Sequence, residues 1–475
     1  MSGLTTVNII GLAGLRTAQS GMTATSNNVA GAAVEGFHRR EVHPMITSPT
    51  SDPLLQGGSV VVDSVVRSFS ALITQQYLTN NSKLKQAENL TSSSAIVDKM
   101  VLDEAEGLTK VLNGFFTAAS DLSADPASAT ARTAFATSSR ETADRIRNLA
   151  ETIDETRKQA YLEMERVVGV ANEKALALSR VNQLIQSSQA FGKPLPAPDL
   201  LDERDRIAAE IAGLVGADVR ISDKGEGMIR FGGLSFVDGT QAFQIEVMRD
   251  TSGKPTGVLR VTQSQLKDSI VFGSAKGGTD ALGEFGGLSR YVEGASDWLG
   301  RLDRLVVGDP DKGIAGLMTA TSPAQGNSWV DKRGEPVESM FEVSPSDIPG
   351  EKALSVRSTM ESGLSIPWAS ESDESEPPHE SIGIQIVAQR TAVLQSWSDW
   401  VTSVSSDISD WRAEEASYGA VDTALNEKRQ QIAGVDLDEE ATNLLRFQQL
   451  YQASSSVMQA AMKMFDVLIG ATTSR

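Results

Sequence analysis

Apolar residues recur every three or four positions at both ends of the chain. From Val435 onward, Leu437, Ala441, Leu444, Tyr451, Met458, Met462, Phe465 and Ile469 occupy one seam, interrupted by Gln448 and Ser455. Alternating spacing of this kind predicts a helix that buries one narrow stripe against another helix. Near the N-terminus, Leu4, Leu15, Ala18, Met22, Thr25 and Val29 share a similar seam that ends before Gly31. Two terminal helices with matching seams are expected to pair. Because two slim seams offer little burial against the entropy of ordering them, the arms are expected to order only within an assembly.

Between the ends the pattern changes several times. Val60 to Val66, rich in β-branched residues after Gly57-Gly58, predicts a short strand. From Ser70 to Ala190 the spacing is helical. Leu112, Phe115, Phe116, Ala119 and Leu122 form one apolar face, and Asp125-Pro126 predicts a new helix start with Asp125 as N-cap. Ile146, Leu149, Ile153, Ala160, Val167, Val181 and Ile185 then continue a single frame, so one long helix to Gln189 is expected. Pro194, Pro196 and Pro198 read as a stiff linker. Asp199 should cap the next helix, whose inner face is Ile207, Ile211 and Leu214. Residues 217–275, punctuated by Gly225, Gly227, Gly232, Gly233 and Gly239, have the alternation of hairpins. A helix returns at 287–307. Residues 308–385 read as a small β-rich insert with Trp329, Trp368 and an acidic loop at 371–380, expected to be dispensable for the helical core. Helix resumes over 386–431 on the stripe Val387, Thr391, Leu394, Trp397, Val401, Val404 and Ile408.

Composition narrows the function. The 475 residues include 43 basic and 62 acidic side chains, a net charge of −19. Such a balance disfavours nucleic acid, whose binders need a Lys/Arg excess to neutralise phosphates. No run of residues has the length and apolar character of a membrane span, and no secretory signal is evident. The absence of cysteine removes disulfides and thiolate metal sites. Only 5% of residues are aromatic, which favours helix seams over one thick globular core and suggests an elongated shape.

Candidate chemistry is sparse. His38, His43 and His379 lack metal-ligand spacing, and there is neither a Gly-x-Ser-x-Gly elbow nor a phosphate-binding loop. Asp309 to Gly313 begins like a calcium loop but lacks the following ligands. Asp202 and Asp205 admit two readings, paired catalytic carboxylates or a solvated helix face with weak Arg pairs, and the second is preferred. His38 beside Arg39 and Arg40 suits a charged contact strip or, preferably, a solvated turn. Asp436 is expected to cap the last helix while Glu439 returns to its N–H. No catalytic, cofactor or metal residues are assigned.

Several segments share a family likeness. Ser26-Asn27-Asn28-Val29-Ala30 followed by Gly36-Phe37 resembles the N-terminal motif of flagellar rod, hook and hook-associated proteins, although Gly31-Ala-Ala-Val-Glu35 replaces the usual Asn-Thr step. The stretch 434–468, the Phe115-Phe116 to Asp125-Pro126 order with its long helix, Leu200-Leu-Asp-Glu-Arg-Asp-Arg206 and Gly286-Gly-Leu-Ser-Arg290 are similar to the hook-associated protein 1 family. The resemblance implies a mainly α fold with β-rich inserts. With the pattern of elements along the chain, three parts are expected: a terminal helical assembly domain (1–40 with 435–475), a long-helix core with hairpins (41–307 with 386–434), and the insert (308–385), which the resemblance does not cover. The resemblance implies a non-enzymatic structural subunit at the hook–filament junction, in a ring of about eleven copies. The implied partners are hook protein, hook-associated protein 3 and a cytosolic export chaperone, after type III export to the cell exterior. Assembly contacts are expected at Leu15, Met22, Asn27, Asn28, Val29, Leu437, Leu444, Tyr451, Met458 and Phe465. Alternatives are another axial protein (hook or distal rod), or a secreted enzyme or adhesin on a helical scaffold.

Overall fold

The structure is a computed structural model. It describes residues 2–34, 36–47, 59–101, 107–190, 196–222, 224–231, 234–251, 253–262, 271–273, 283–308, 316–322, 329–330, 336–337, 339–346, 348–366, 369–370 and 382–473. The fold is mainly α, with long helices at both termini. In order, the elements are α1 (Ser2–Gly31), β1 (Arg40–Thr47), β2 (Ser59–Arg67), α2 (Ala71–Val101), α3 (Leu108–Ala124), α4 (Ala129–Ala190), α5 (Pro198–Val215), β3 (Asp218–Ile221), β4 (Gly227–Phe231), β5 (Leu234–Asp238), β6 (Gln241–Ala242), β7 (Gln244–Arg249), β8 (Pro255–Thr262) and β9 (Val271–Gly273). They continue with α6 (Gly283–Val307), α7 (Leu317–Ala320), β10 (Trp329–Val330), β11 (Pro336–Val337), β12 (Phe341–Glu342), α8 (Glu351–Ser355), β13 (Arg357–Ser358), β14 (Ala369–Ser370), α9 (Ile382–Ala388), α10 (Arg390–Ala433) and α11 (Leu437–Thr473).

The core is built along α4, which runs for 62 residues. All seven residues of its expected frame, from Ile146 to Ile185, are buried, against α3, α5 and α6. Its start differs from the sequence reading. Pro126 occupies a tight turn closed by Ser128 N to Asp125 O at 3.1 Å, and the Ser128 hydroxyl accepts from Ala131 N at 3.3 Å. Ser128 therefore takes the cap position, because Asp125 already ends α3. On α10 the buried stripe is Val393, Trp397, Trp400, Val404, Ile408 and Trp411; it keeps Trp397, Val404 and Ile408 and turns Thr391 to solvent.

Residues 217–275 form two antiparallel sheets, a four-stranded meander β3-β4-β5-β6 and a three-stranded β7-β8-β9. Gly239 supplies the positive φ of 56° that the two-residue turn between Asp238 and Gln241 requires. Two α4 amides fasten these sheets to the helix. Asn182 accepts from Gly227 N at 2.9 Å and donates to Gly227 O at 2.8 Å, while Asn172 makes the same pair with Ile245, both at 2.9 Å. Of the linker, Pro194 lies outside the described residues, and Pro198 opens α5 at its first turn. Ala197 holds the cap position there without a side-chain bond, so Asp199 is not the cap.

The segment 308–385 is integrated with the core. The acidic loop, Trp368 and the calcium-like stretch 309–313 lie outside the described residues. What is described contains short strands, α7 and α8, and places Met340, Phe341, Ala353, Val356, Met360 and Ile366 in the same apolar cluster as Phe115 and Phe135. Arg132 of α4 donates to Gly363 O at 2.8 Å and Ile366 O at 2.6 Å, and Asp303 of α6 accepts from Gly350 N and Ala353 N at 2.6 and 2.8 Å. The expectation that this segment is dispensable is therefore corrected: its sparse apolar residues close the end of the α3–α4–α6 packing.

At the other end of the molecule α1 and α11 pack antiparallel. Gly11, Gly14 and Gly21 of α1 lie directly against Met458, Ser454 and Phe447 of α11. The contact face thus runs through Gly11, Gly14 and Gly21, beside the expected seam, of which Ala18 and Thr25 are buried and Val29 is exposed. Glycine inside a helix costs about 1 kcal/mol relative to alanine, so α1 is sustained by this close approach and not by its own propensity. A second face of α1 packs on the antiparallel hairpin β1–β2, where Thr17 Oγ1 donates to Val60 O at 3.2 Å. The strand at Val60–Val66 was legible, but its partner β1 was not. This third element adds burial to the helix pair beyond the two seams on which the sequence expectation rested.

Two outcomes are expected. Phe341→Ala should lower unfolding free energy by about 3–5 kcal/mol in a denaturant titration, since Phe341 is buried against Phe115; a loss under about 1 kcal/mol would mean the segment packs loosely. Gly21→Val should force the terminal helices apart at Phe447, at about 1–3 kcal/mol, and accelerate proteolysis within α1 by roughly 5- to 100-fold. An unchanged cleavage rate would contradict the close packing.

Candidate functional site

The α1–α11 pair leaves a large apolar surface open. On α1, Val7, Ile9, Ile10 and Leu12 are exposed; on α11, Leu445, Val457, Met464 and Val467 are, the last at 71%. Several of the outward α11 residues, Val457, Met464 and Val467, fall on one face of the helix. An open cleft of about 720 Å³ between α1 and β2 is lined by Ile9, Leu12, Val61, Val62 and Val65.

The expected assembly residues are placed as follows. Leu15, Met22, Leu444 and Met458 are half-buried, flanking or lining the contact between the two helices. Asn27 is exposed, as are Val29 at 46%, Leu437 at 54%, Tyr451 and Phe465 at 50%. Asn28 is buried, its amide donating to Arg40 O at 3.0 Å and accepting from Arg40 N at 2.8 Å, so within the chain it pins β1 to α1. Outward residues such as Val457 and Val467 were missed, because a 4-3 pattern identifies stripes without saying which stripe an intrachain partner covers. After α1, Val34 N bonds to Gly31 O at 2.9 Å, and Gly36 takes φ 79° before Phe37, whose ring packs against Gly31.

The three consecutive basic residues that follow were read as a solvated turn, and the structure corrects this. His38 is buried, and its Nδ1 lies 2.8 Å from Asp202 Oδ1. Arg39 pairs with Glu440 at 2.9 Å and Glu439 at 2.5 Å, while Arg40 pairs with Asp199. From β2, Arg67 reaches Asp202 at 3.0 Å and Asp205 at 2.6 Å. Arg204 closes the cluster on Asp205 at 2.6 Å. Asp202 and Asp205 are therefore neither a solvated face nor a catalytic pair, since each is neutralised by arginine. Burial pulls the Arg204 guanidinium below its ordinary value against the opposing pull of Asp205. The hydrogen bond to Glu439 holds Arg39 above its own. Asp436 does cap α11, accepting from Asp438 N at 2.9 Å, but Glu439 turns to Arg39 instead of completing the capping box. No helix among the described residues is long and apolar enough to cross a membrane.

Comparison with known proteins agrees with this architecture. The family described as flagellar hook-associated protein FlgK helical domain matches residues 94–308, and the flagellar basal body rod FlgEFG protein C-terminal family matches 429–471. Flagellar hook-associated protein 1 of Escherichia coli K12 is 24% identical across 96% of this chain and 98% of its own length. The protein of the same name from Bacillus subtilis 168 is 23% identical across 95% of each. A solved structure, the flagellar hook junction protein FlgK from Burkholderia pseudomallei, aligns with a TM-score of 0.45 at 19% identity over 57% of this chain and 47% of that one. The helical core thus carries the match to the FlgK helical domain and the last helix the match to the rod-protein C-terminal family, and along nearly its whole length the chain is similar to proteins named flagellar hook-associated protein 1.

Proposed function

We propose that this protein is a structural subunit of the bacterial flagellum that joins hook to filament and acts by assembly, not by catalysis. The observation that carries this reading is the outward apolar face of the paired terminal helices, which no element among the described residues covers. Relatives along the whole chain bear the name hook-associated protein 1, and the long-helix core is the part that a mostly stranded hook protein would lack. On this reading copies of the chain associate laterally in a ring of about eleven, hook protein lies on one side and hook-associated protein 3 on the other, and a cytosolic chaperone escorts the chain to the type III export apparatus. Its working place is outside the cell. The chain divides functionally into the terminal helix pair as assembly element, the α2–α6 and α10 core, and the segment 308–385 at the core's far end.

The test is whether purified protein caps isolated hooks, compared with a Val457→Asp, Phe465→Asp variant. Both positions are exposed in the single chain, so solubility and helicity should be unchanged. In a dry intersubunit contact each unpaired carboxylate costs several kcal/mol, repeated at every contact of a ring. Capping and filament growth in cells should be abolished. Filaments of normal length from the double variant would overturn the assignment of α11 as the assembly element.

A further inference from the structure

The apolar cluster that unites α2–α6, the strands, the 308–385 segment and α10 contains, among the described residues, nothing from 2–67 or 434–473. The terminal module of α1, β1–β2 and α11 is thus joined to the core without a shared hydrophobic layer. The chain crosses between them at 68–70 and at 434–436, and neither crossing has helical or strand backbone. Backbone bonds at the crossing are few: Arg39 N to Ala433 O at 2.9 Å and Ser68 N to Arg39 O at 2.7 Å. Ser68 Oγ adds a bond to Ile432 O at 2.8 Å. Beside them lies an open cleft of about 970 Å³, walled by Phe37 and Val435 from the module and by Tyr77, Arg206 and Arg429 from the core.

We propose that the ion-pair cluster of His38, Arg40 and Arg67 with Asp199, Asp202 and Asp205 is an electrostatic clasp that sets the angle of the terminal module and releases it as a folded unit. Charge is what the module presents to α5, so opening the clasp exposes little apolar surface and meets no large hydrophobic penalty. The closed state is also imperfectly satisfied, since Asp202 Oδ2 and Arg40 Nε are buried without a hydrogen-bond partner. Opening returns both to water. Two chain crossings and an adjacent cleft provide the pivot and the room. The clasp goes beyond the proposed function, because it concerns a motion within one chain and stands whether or not the protein caps hooks.

The natural absence of cysteine allows a direct test on the full chain. Spin labels at Gln452→Cys on α11 and Glu173→Cys on α4, both exposed, report the angle between module and core as a distance distribution. Asp202→Asn with Asp205→Asn should at least double the width of that distribution. The near-ultraviolet dichroism of Trp298, Trp400 and Trp411, all in the core, should not change, nor should the rate of proteolysis within α1. Arg67→Gln attacks the clasp from the β2 side without altering α5 and should broaden the distribution as well, which decides the matter should the carboxamide pair perturb the core signal. An unchanged distribution in either variant with an intact core would overturn the clasp, as would broadening accompanied by faster proteolysis of α1, which signals unravelling instead of rigid release.

Discussion

Burial of one continuous face of α4 is the constraint on which the rest of the molecule depends. A helix of 62 residues cannot hold its apolar stripe in water, and in this fold α3, α5, α6 and two small sheets each cover part of it. The covering elements are short or irregular by themselves. Asn172 and Asn182 show how the helix disciplines them, because each replaces a missing backbone partner at a strand edge with a side-chain amide. The segment 308–385 obeys the same rule: its strands are two residues long and persist because Met340, Phe341 and Ile366 complete the α4 packing.

That apolar order stops at α5. Beyond Ile207 and Ile211 the outer face of α5 is carboxylate, and the terminal module meets it with His38, Arg40 and Arg67. Removing one partner of a buried ion pair strands the other charge and is costly, yet the intact pair contributes little net stability relative to apolar packing. They do fix direction. A module held by charge and two short crossings keeps a defined angle without being fused to the core.

Within the module, the contact between α1 and α11 depends on the absence of side chains. Gly11, Gly14 and Gly21 let the helices approach closely, so few large residues are needed between them. Val457, Met464 and Phe465 stay outward as a consequence. The same arrangement that makes the intrachain pair slim leaves the apolar surface on which the proposed contacts with other subunits rest.

Periodicity alone determined the helices, the hairpin region and the face of α4, because burying a stripe on a regular element leaves a regular spacing in the chain. Seven of seven frame residues from Ile146 to Ile185 are inside. The motif at Asn27-Asn28 and the C-terminal stretch were enough to suggest the family that the comparisons then supported. Spacing could not decide which of two neighbouring stripes on α1 meets α11, since glycine carries no apolar signal and yet governs the approach of two backbones. Nor could it reveal β1, the inward turn of Asn28, or the pairing of His38, Arg39 and Arg40 with acids that lie far along the chain. A charged residue in sequence looks solvated by default. Only the tertiary fold brings Asp202 and Glu440 to it, and only then does desolvation turn a polar run into a joint.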